Sequence, residues 1–224
     1  VASPLVGQVL ANAVMIAVTL IIFFAAGLAG FYPWFSYILF ALIALGLFIK
    51  NRHNHNDNTS GVLGVFSIAA QAGIKDKCAF VLFDNEEWGL LGSLAFANWR
   101  RKNFLGNKEC DVINLDCIGN AGALLIAVKN RHDGWHKMAD FLRGEGFETV
   151  KKHSVMIYLS DHANFKRGVM LSFVKKSLIG KFLYMPRIHT SKDNVCDLEN
   201  IKNLGAAVYK YICGIIDGRE NHEI

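Results

Sequence analysis

Charge is what the front of this chain lacks. No Asp, Glu, Lys or Arg occurs in residues 1–49, and Lys50 is the first ionic side chain of the 224. Uncharged runs of this length are rare in soluble cores. The block divides at Gly30 into residues 9–29 and 31–49, each close to the ~20 apolar residues that a bilayer core asks of a helix. Gly27, Gly30 and Pro33 can interrupt a helix, and Tyr32, Trp34 and Tyr37 suit an interface. Residues 1–50 are therefore expected to form a transmembrane helical hairpin with both ends on one side, making the chain an integral membrane protein with the lipid bilayer as a partner. The lack of a basic leading segment, with two spans instead of one short apolar stretch, argues against a cleaved signal peptide. This block accounts for the 52% hydrophobic content and the mean hydropathy of +0.26.

Other absences narrow the function. The five cysteines form no CxxC pair and no regular spacing, so no disulfide framework is indicated. An odd count without a framework leans towards a reducing compartment. Lys50 and Arg52, just past the second span, lean the same way, which puts the polar domain on the cytoplasmic side. Net charge is +5 and the pI about 8.9, but the basic residues are scattered and lack interleaved aromatics. No nucleic-acid partner is expected, only mild attraction to anionic lipid. Ser60 and Ser160 have no accompanying acid–base pattern for a serine nucleophile. Internal repeats and low-complexity linkers are also missing.

What is present reads as an α/β domain over residues 51–224. A polar stretch at 51–60 opens a helix that Thr59 or Ser60 can cap, with Val62, Leu63, Phe66 and Ala69 in helical period. The apolar run 79–83 has the pattern of a strand covered on both faces. An amphipathic helix follows at 88–101. Residues 111–116 read as a second strand, with 123–128 as its hairpin partner across 120–122. Further elements are a helix at 134–143, a strand at 169–174 and a closing helix at 198–216. Strands alternating with helices predict a mixed, mostly parallel sheet in a three-layer α/β/α arrangement, with ligands bound outside the carboxyl ends of strands.

Asp57, Glu86, Glu87, Asp116 and His189 fall at the ends of hydrophobic runs. Hydrolysis with two metal ions ~3.5–4 Å apart needs a bridging carboxylate, further carboxylate and imidazole ligands, and one free carboxylate to move a proton. These residue types meet that list except for one histidine.

The runs NDNTSG at 56–61, FVLFDNEEWGLLGS at 80–93, NLDCIG at 114–119, SDH at 160–162 with Phe165, and IHT at 188–190 with Asp193 resemble the co-catalytic di-zinc aminopeptidases. Bacterial leucyl aminopeptidase and glutamate carboxypeptidase II belong to that family. The five blocks stand in the family's order. The resemblance implies a zinc-exopeptidase fold, a peptide substrate and two Zn2+ ions per complete site. It assigns Asp57 as the bridging ligand, Glu87 and His189 to one zinc, Asp116 to the other, and Glu86 as the general base. It also implies a cis peptide between Asp57 and Asn58.

The family's His-x-Asp motif, which completes the second zinc, has no counterpart before Asp57. The chain begins with Val, so that motif and the first strands are expected ahead of Val1, with the hairpin marking a membrane-attached branch. The other readings are that His53 or His55 replaces the missing ligand, or that the protein is a single-zinc or inactive relative. Asp161, His162 and Asp193 lie in family blocks and are read as supporting the ligands or capping local structure. His132, His136, His153 and His222 are read as surface residues. A glutaminyl-cyclase-like transferase and a non-catalytic membrane-bound domain are the rival functions.

Overall fold

The computed structural model describes residues 53–71, 78–103, 110–153, 158–177 and 182–220, and isolated helical positions at 21, 24, 27, 37, 38 and 41. Apart from those six positions, the hairpin expected at residues 1–50 lies outside the described residues. Among the described residues, no helix is long and apolar enough to cross a membrane.

The elements are α1 (Gly61–Ala69), α2 (Leu91–Asn103), β1 (Asp111–Leu115), β2 (Ala123–Val128), α3 (Asp133–Gly144), β3 (Thr149–His153), a single 3-10 turn (Asp161–Asn164), β4 (Arg167–Lys176), β5 (Leu183–Tyr184) and α4 (Leu198–Glu220). The sheet runs β1-β4-β2-β3, and β5 is added against β4. β1 pairs with β4 in parallel, Asp111 opposite Arg167 and Leu115 opposite Leu171. β2 and β3 are also parallel, whereas β2–β4 and β4–β5 are antiparallel. The sheet is mixed, as expected; among the described residues two of its pairings are parallel and two antiparallel.

The strands carry the core because their side chains alternate between two buried faces. Leu124, Ile126 and Val128 join Val169, Leu171 and Phe173 on one face. Ala123, Leu125 and Ala127 join Met170, Val174 and Leu183 on the other. Burial on both faces explains why β2 reads as an unbroken apolar run. The first face is covered by Ile68 of α1, by Trp135, Met138, Ala139 and Leu142 of α3, and by Ile201, Leu204 and Val208 of α4. The second is packed by Val150, Tyr158 and Met185. Among the described residues, helices cover the first of these faces.

Two expectations for strands fail. Residues 123–128 are not a hairpin partner of 111–115, because β4 lies between them. After β1 the chain still bonds to β4 through Asp116 N–H to Leu171 O (3.0 Å) and Phe173 N–H to Cys117 O (3.2 Å), and residues 118–122 then carry it across to β2 on the other side of β4. Residues 79–83 form no strand; Phe80 and Leu82 are exposed, and Phe83 stacks in an aromatic cluster with Phe96 of α2 and Phe165. Of this run, Phe83 is the side chain held by ring contacts, while Ala79, Phe80 and Leu82 stay exposed. Within α2, Leu94 and Trp99 are exposed.

The packing of α1 on β1 is what sets up the site. A Cβ on Gly61 would lie 2.2 Å from the Leu115 carbonyl oxygen, and one on Gly64 would lie 2.6 Å from Ile118 Cδ1. Two glycines one helical turn apart thus let the start of α1 lie directly on the carboxyl end of β1. Residues immediately before α1 and immediately after β1 are thereby brought together.

Candidate metal centre

Before α1, residues His55–Ser60 form a wide helical turn broken at Asp57 (φ −111°, ψ 94°) and Asn58 (φ −130°, ψ 37°). The Asp57–Asn58 peptide is cis, as the resemblance implied. Polar side chains of this turn are spent on the loop after β1. Asn58 Oδ1 accepts from the backbone N–H groups of Gly61 (3.0 Å) and Cys117 (3.3 Å), and its Nδ2 donates to Leu115 O (3.2 Å). Ser60 Oγ donates to Asn56 O (2.6 Å) and accepts from Ile118 N–H (2.9 Å). Asn56 Oδ1 accepts from Gly119 N–H at 2.7 Å. Ser60, expected to cap α1, makes no side-chain cap bond and has helical backbone angles; its hydroxyl joins the two loops instead.

A third loop closes on the same turn. Arg187 (φ 70°) and His189 (φ 57°) adopt left-handed backbone, and Asp193 N–H returns to Thr190 O at 3.1 Å. This compact loop aims two side chains at Asp57. The buried Asp193 carboxylate accepts from Asn56 N–H (2.8 Å) on one oxygen and from Asp57 N–H (3.0 Å) on the other. His189 Nε2 stands 3.2 Å from Asp57 Oδ2 and 3.7 Å from Glu87 Oε1.

Glu86 and Glu87 lie in the turn leading to α2, where Gly89 and Leu90 N–H both bond to Glu86 O (3.1 and 2.8 Å). Leu90 has positive φ (59°), and its carbonyl accepts from Asn164 Nδ2 (3.2 Å) and Ser93 Oγ (3.1 Å). The glutamate turn is thereby tied to the 3-10 turn carrying Asp161. Burial pushes the Glu86 carboxyl up to about 8, and Asp116, Glu87, Asp161 and Asp57 all push the same way. Asp57 and Glu87 are raised mainly by burial, opposed by His189. Asp116 is raised by burial and held back by bonds from Ser160 and Cys117.

Two groups of ligand atoms follow, each with all atoms within 4.8 Å of one another: Asp57, Glu87 and His189, and Asp57, Asp116 and Cys117. Asp57 belongs to both. Carboxylate, imidazole and thiol are the donors zinc accepts, and a cation would relieve the repulsion that raises these carboxylates. The residues present fit the metal. Neither His53 nor His55 is in either group, and His55 Nδ1 sits 3.1 Å from the Asp193 carbonyl.

Of the supporting residues, Asp161 is buried with Oδ1 unpartnered. His162 is wholly buried against β4, where burial lowers its pKa to about 4 and keeps it neutral. A Cβ at Gly168 would lie 2.1 Å from the His162 carbonyl, so this histidine is part of the packing. His132, read as a surface residue, is half-buried and lines a cavity of about 630 Å3 with Lys137, Phe141, Arg167 and Tyr211. That cavity flanks β1 and contains none of the residues above.

Asn56, Asn58, Ser60 and Asn164 as organisers, and Cys117 as a possible donor, were not singled out from sequence. The polar residues before α1 read as ordinary capping chemistry, and the spacing of the five cysteines does not mark Cys117.

A comparison with curated proteins returned no match. The family model of peptidase family M28 matches residues 53–212, a span holding all three loops of the site and most of the chain. The chain therefore belongs to peptidase family M28, a family of zinc-dependent peptidases.

Proposed function

We propose that the protein is an aminopeptidase that hydrolyses the N-terminal peptide bond of a peptide substrate. The observation that carries this reading is the sharing of Asp57 between two ligand groups, with Glu86 beside them and outside both. Asp57, Glu87 and His189 would hold one zinc, and Asp57 and Asp116 contribute to a second. Bound zinc supplies an activated water and polarises the scissile carbonyl. Glu86, raised to about 8 in the metal-free protein, takes the proton of the attacking water on a carboxylate oxygen and delivers it to the leaving amine. Asp193 holds the backbone on which Asp57 is mounted.

Glu86→Gln tests the assignment. Bound zinc should be unchanged, and turnover of an N-terminal aminoacyl substrate should fall by ~10²–10⁴. Unchanged turnover would remove Glu86 from the mechanism.

A glutaminyl-cyclase-like, single-zinc activity is the second reading, favoured by the lack of an imidazole in the second group among the described residues. Mass analysis of a glutaminyl peptide separates the two, since cyclisation expels ammonia and hydrolysis adds water. The uncharged residues 1–49 support membrane attachment, and Lys50 and Arg52 support a cytoplasmic catalytic domain. Protease protection in sealed vesicles distinguishes the two orientations.

A further inference from the structure

We propose that the cavity between α3, α4 and β1 is a binding site for an amphipathic anion, a single acidic head on an apolar chain. The site is separate from the metal centre and does not depend on the peptidase reading.

The cavity holds about 630 Å3, inside the ~300–1,000 Å3 range of sites for small organic ligands. Two of its lining residues, Asp111 and Arg167, open β1 and β4. It therefore reaches the amino ends of these strands, whereas Asp116 follows the carboxyl end of β1. Much of the wall is hydrocarbon. Ile113, Met138, Phe141 and Ile215 line it, and the rings of Phe141 and Tyr211 meet at 5.4 Å where α3 and α4 come together. Such a wall takes up an apolar chain because both surfaces leave water.

The polar groups gather around Gly134. Arg167 Nε donates to Asp111 Oδ1 at 2.7 Å. A Cβ on Gly134 would lie 3.7 Å from Arg167 Nη2 and 3.1 Å from His132 Nδ1, so both nitrogens approach the space beside a residue with no side chain. Tyr211 donates its hydroxyl to Gly134 O at 3.1 Å, which fixes its ring at that end. Lys137 also lines the cavity and has no ion-pair partner among the described residues. Arg167 and Lys137 thus stand against the one carboxylate of Asp111, and the surplus positive charge selects an anion. Arginine's planar fork suits a carboxylate or phosphate head.

Gly214 is an independent sign that the volume is kept open. It lies inside α4, where glycine is a poor helix former, and it lines the cavity. A Cβ there would have no heavy atom within 4 Å.

The test uses the full chain in phosphatidylcholine nanodiscs, photolysed with a diazirine derivative of dodecanoic acid, with labelled peptides mapped by mass spectrometry. Label should enter residues 111–113, 134–141 and 211–215. Dodecanoate or dodecyl phosphate should compete for it and dodecyltrimethylammonium should not; the stronger of the two anions identifies the head as carboxylate or phosphate. Gly214→Trp, which occupies the open volume, should remove this label without lowering zinc content or the temperature of unfolding. Lys137→Glu should weaken competition by dodecanoate about tenfold or more. No label in these three segments, as when another part of the chain fills the cavity, overturns the proposal. Equal competition by the cationic amphiphile, or label that persists unchanged in both variants, overturns it too. Each of these failures leaves zinc binding and peptide hydrolysis untouched, so the peptidase reading stands or falls separately.

Discussion

Asp193→Asn is the substitution that most directly tests how the centre is assembled. Asp193 is 2% exposed, and its two oxygens separately receive the N–H groups of Asn56 and Asp57. Asparagine keeps the shape but has one acceptor oxygen, so one buried N–H then faces an NH2 group. Losing an acceptor for a buried donor costs ~1–3 kcal/mol, and the surviving bond drops from the ~1.5–3 kcal/mol of a charged acceptor towards ~1 kcal/mol. Allowing for overlap between these effects, unfolding in urea with chelator present should be easier by about 3 kcal/mol, a large share of a typical ~5–15 kcal/mol total. Asp57 rides on the same backbone, so zinc affinity, measured by competition with a chromogenic chelator, should fall ~10–100-fold. An unchanged urea midpoint would refute the energetic reasoning. A lowered midpoint with unchanged zinc affinity would show that Asp57 does not depend on this anchor.

Two further outcomes follow from the same loops. Ser60→Ala removes a wholly buried hydroxyl and leaves Ile118 N–H without its acceptor; a loss of ~1–3 kcal/mol is expected in thermal or urea unfolding, and a loss below about 0.5 kcal/mol would contradict it. In EDTA, stability should decline as pH rises from about 5 to about 8. Glu86, raised to about 8 in the fold, keeps a proton there that the unfolded chain releases in the ordinary glutamate range, so the folded state binds more protons and loses ground as pH rises. Saturating zinc should remove this decline, because the cation favours the ionised carboxylates; metal-free stability that rises across the interval would refute the sign.

Much of the site could be read from residue order. The resemblance groups Asp57, Glu87 and His189 around one zinc, and the fold brings these three side chains within reach of one another. The helices at 61–69, 133–144 and 198–220 were also legible, because a 3.6-residue apolar period needs no knowledge of the partner. Cys117 was harder to read, because a buried thiol looks the same in sequence whether it faces leucines or carboxylates. Asp193 was legible as a supporting residue of its block, but that it accepts from the N–H groups of Asn56 and Asp57 depends on contacts between distant segments.

By itself, then, the sequence pointed to the candidate ligands and general base, and determined where the helices at 61–69, 133–144 and 198–220 fall and where charge is missing at the front of the chain. Tertiary structure decided which segments meet. β4 separates β1 from β2 because strand pairing is a contact between distant residues, whereas alternation records only that both faces are buried. Residues 79–83 stay outside the ladder, with Phe80 and Leu82 exposed, for the same reason. The candidate ligands come together because Gly61 and Gly64 leave room for α1 on the end of β1, so that the turn of Asp57 and the loop of Asp116 and Cys117 occupy one place.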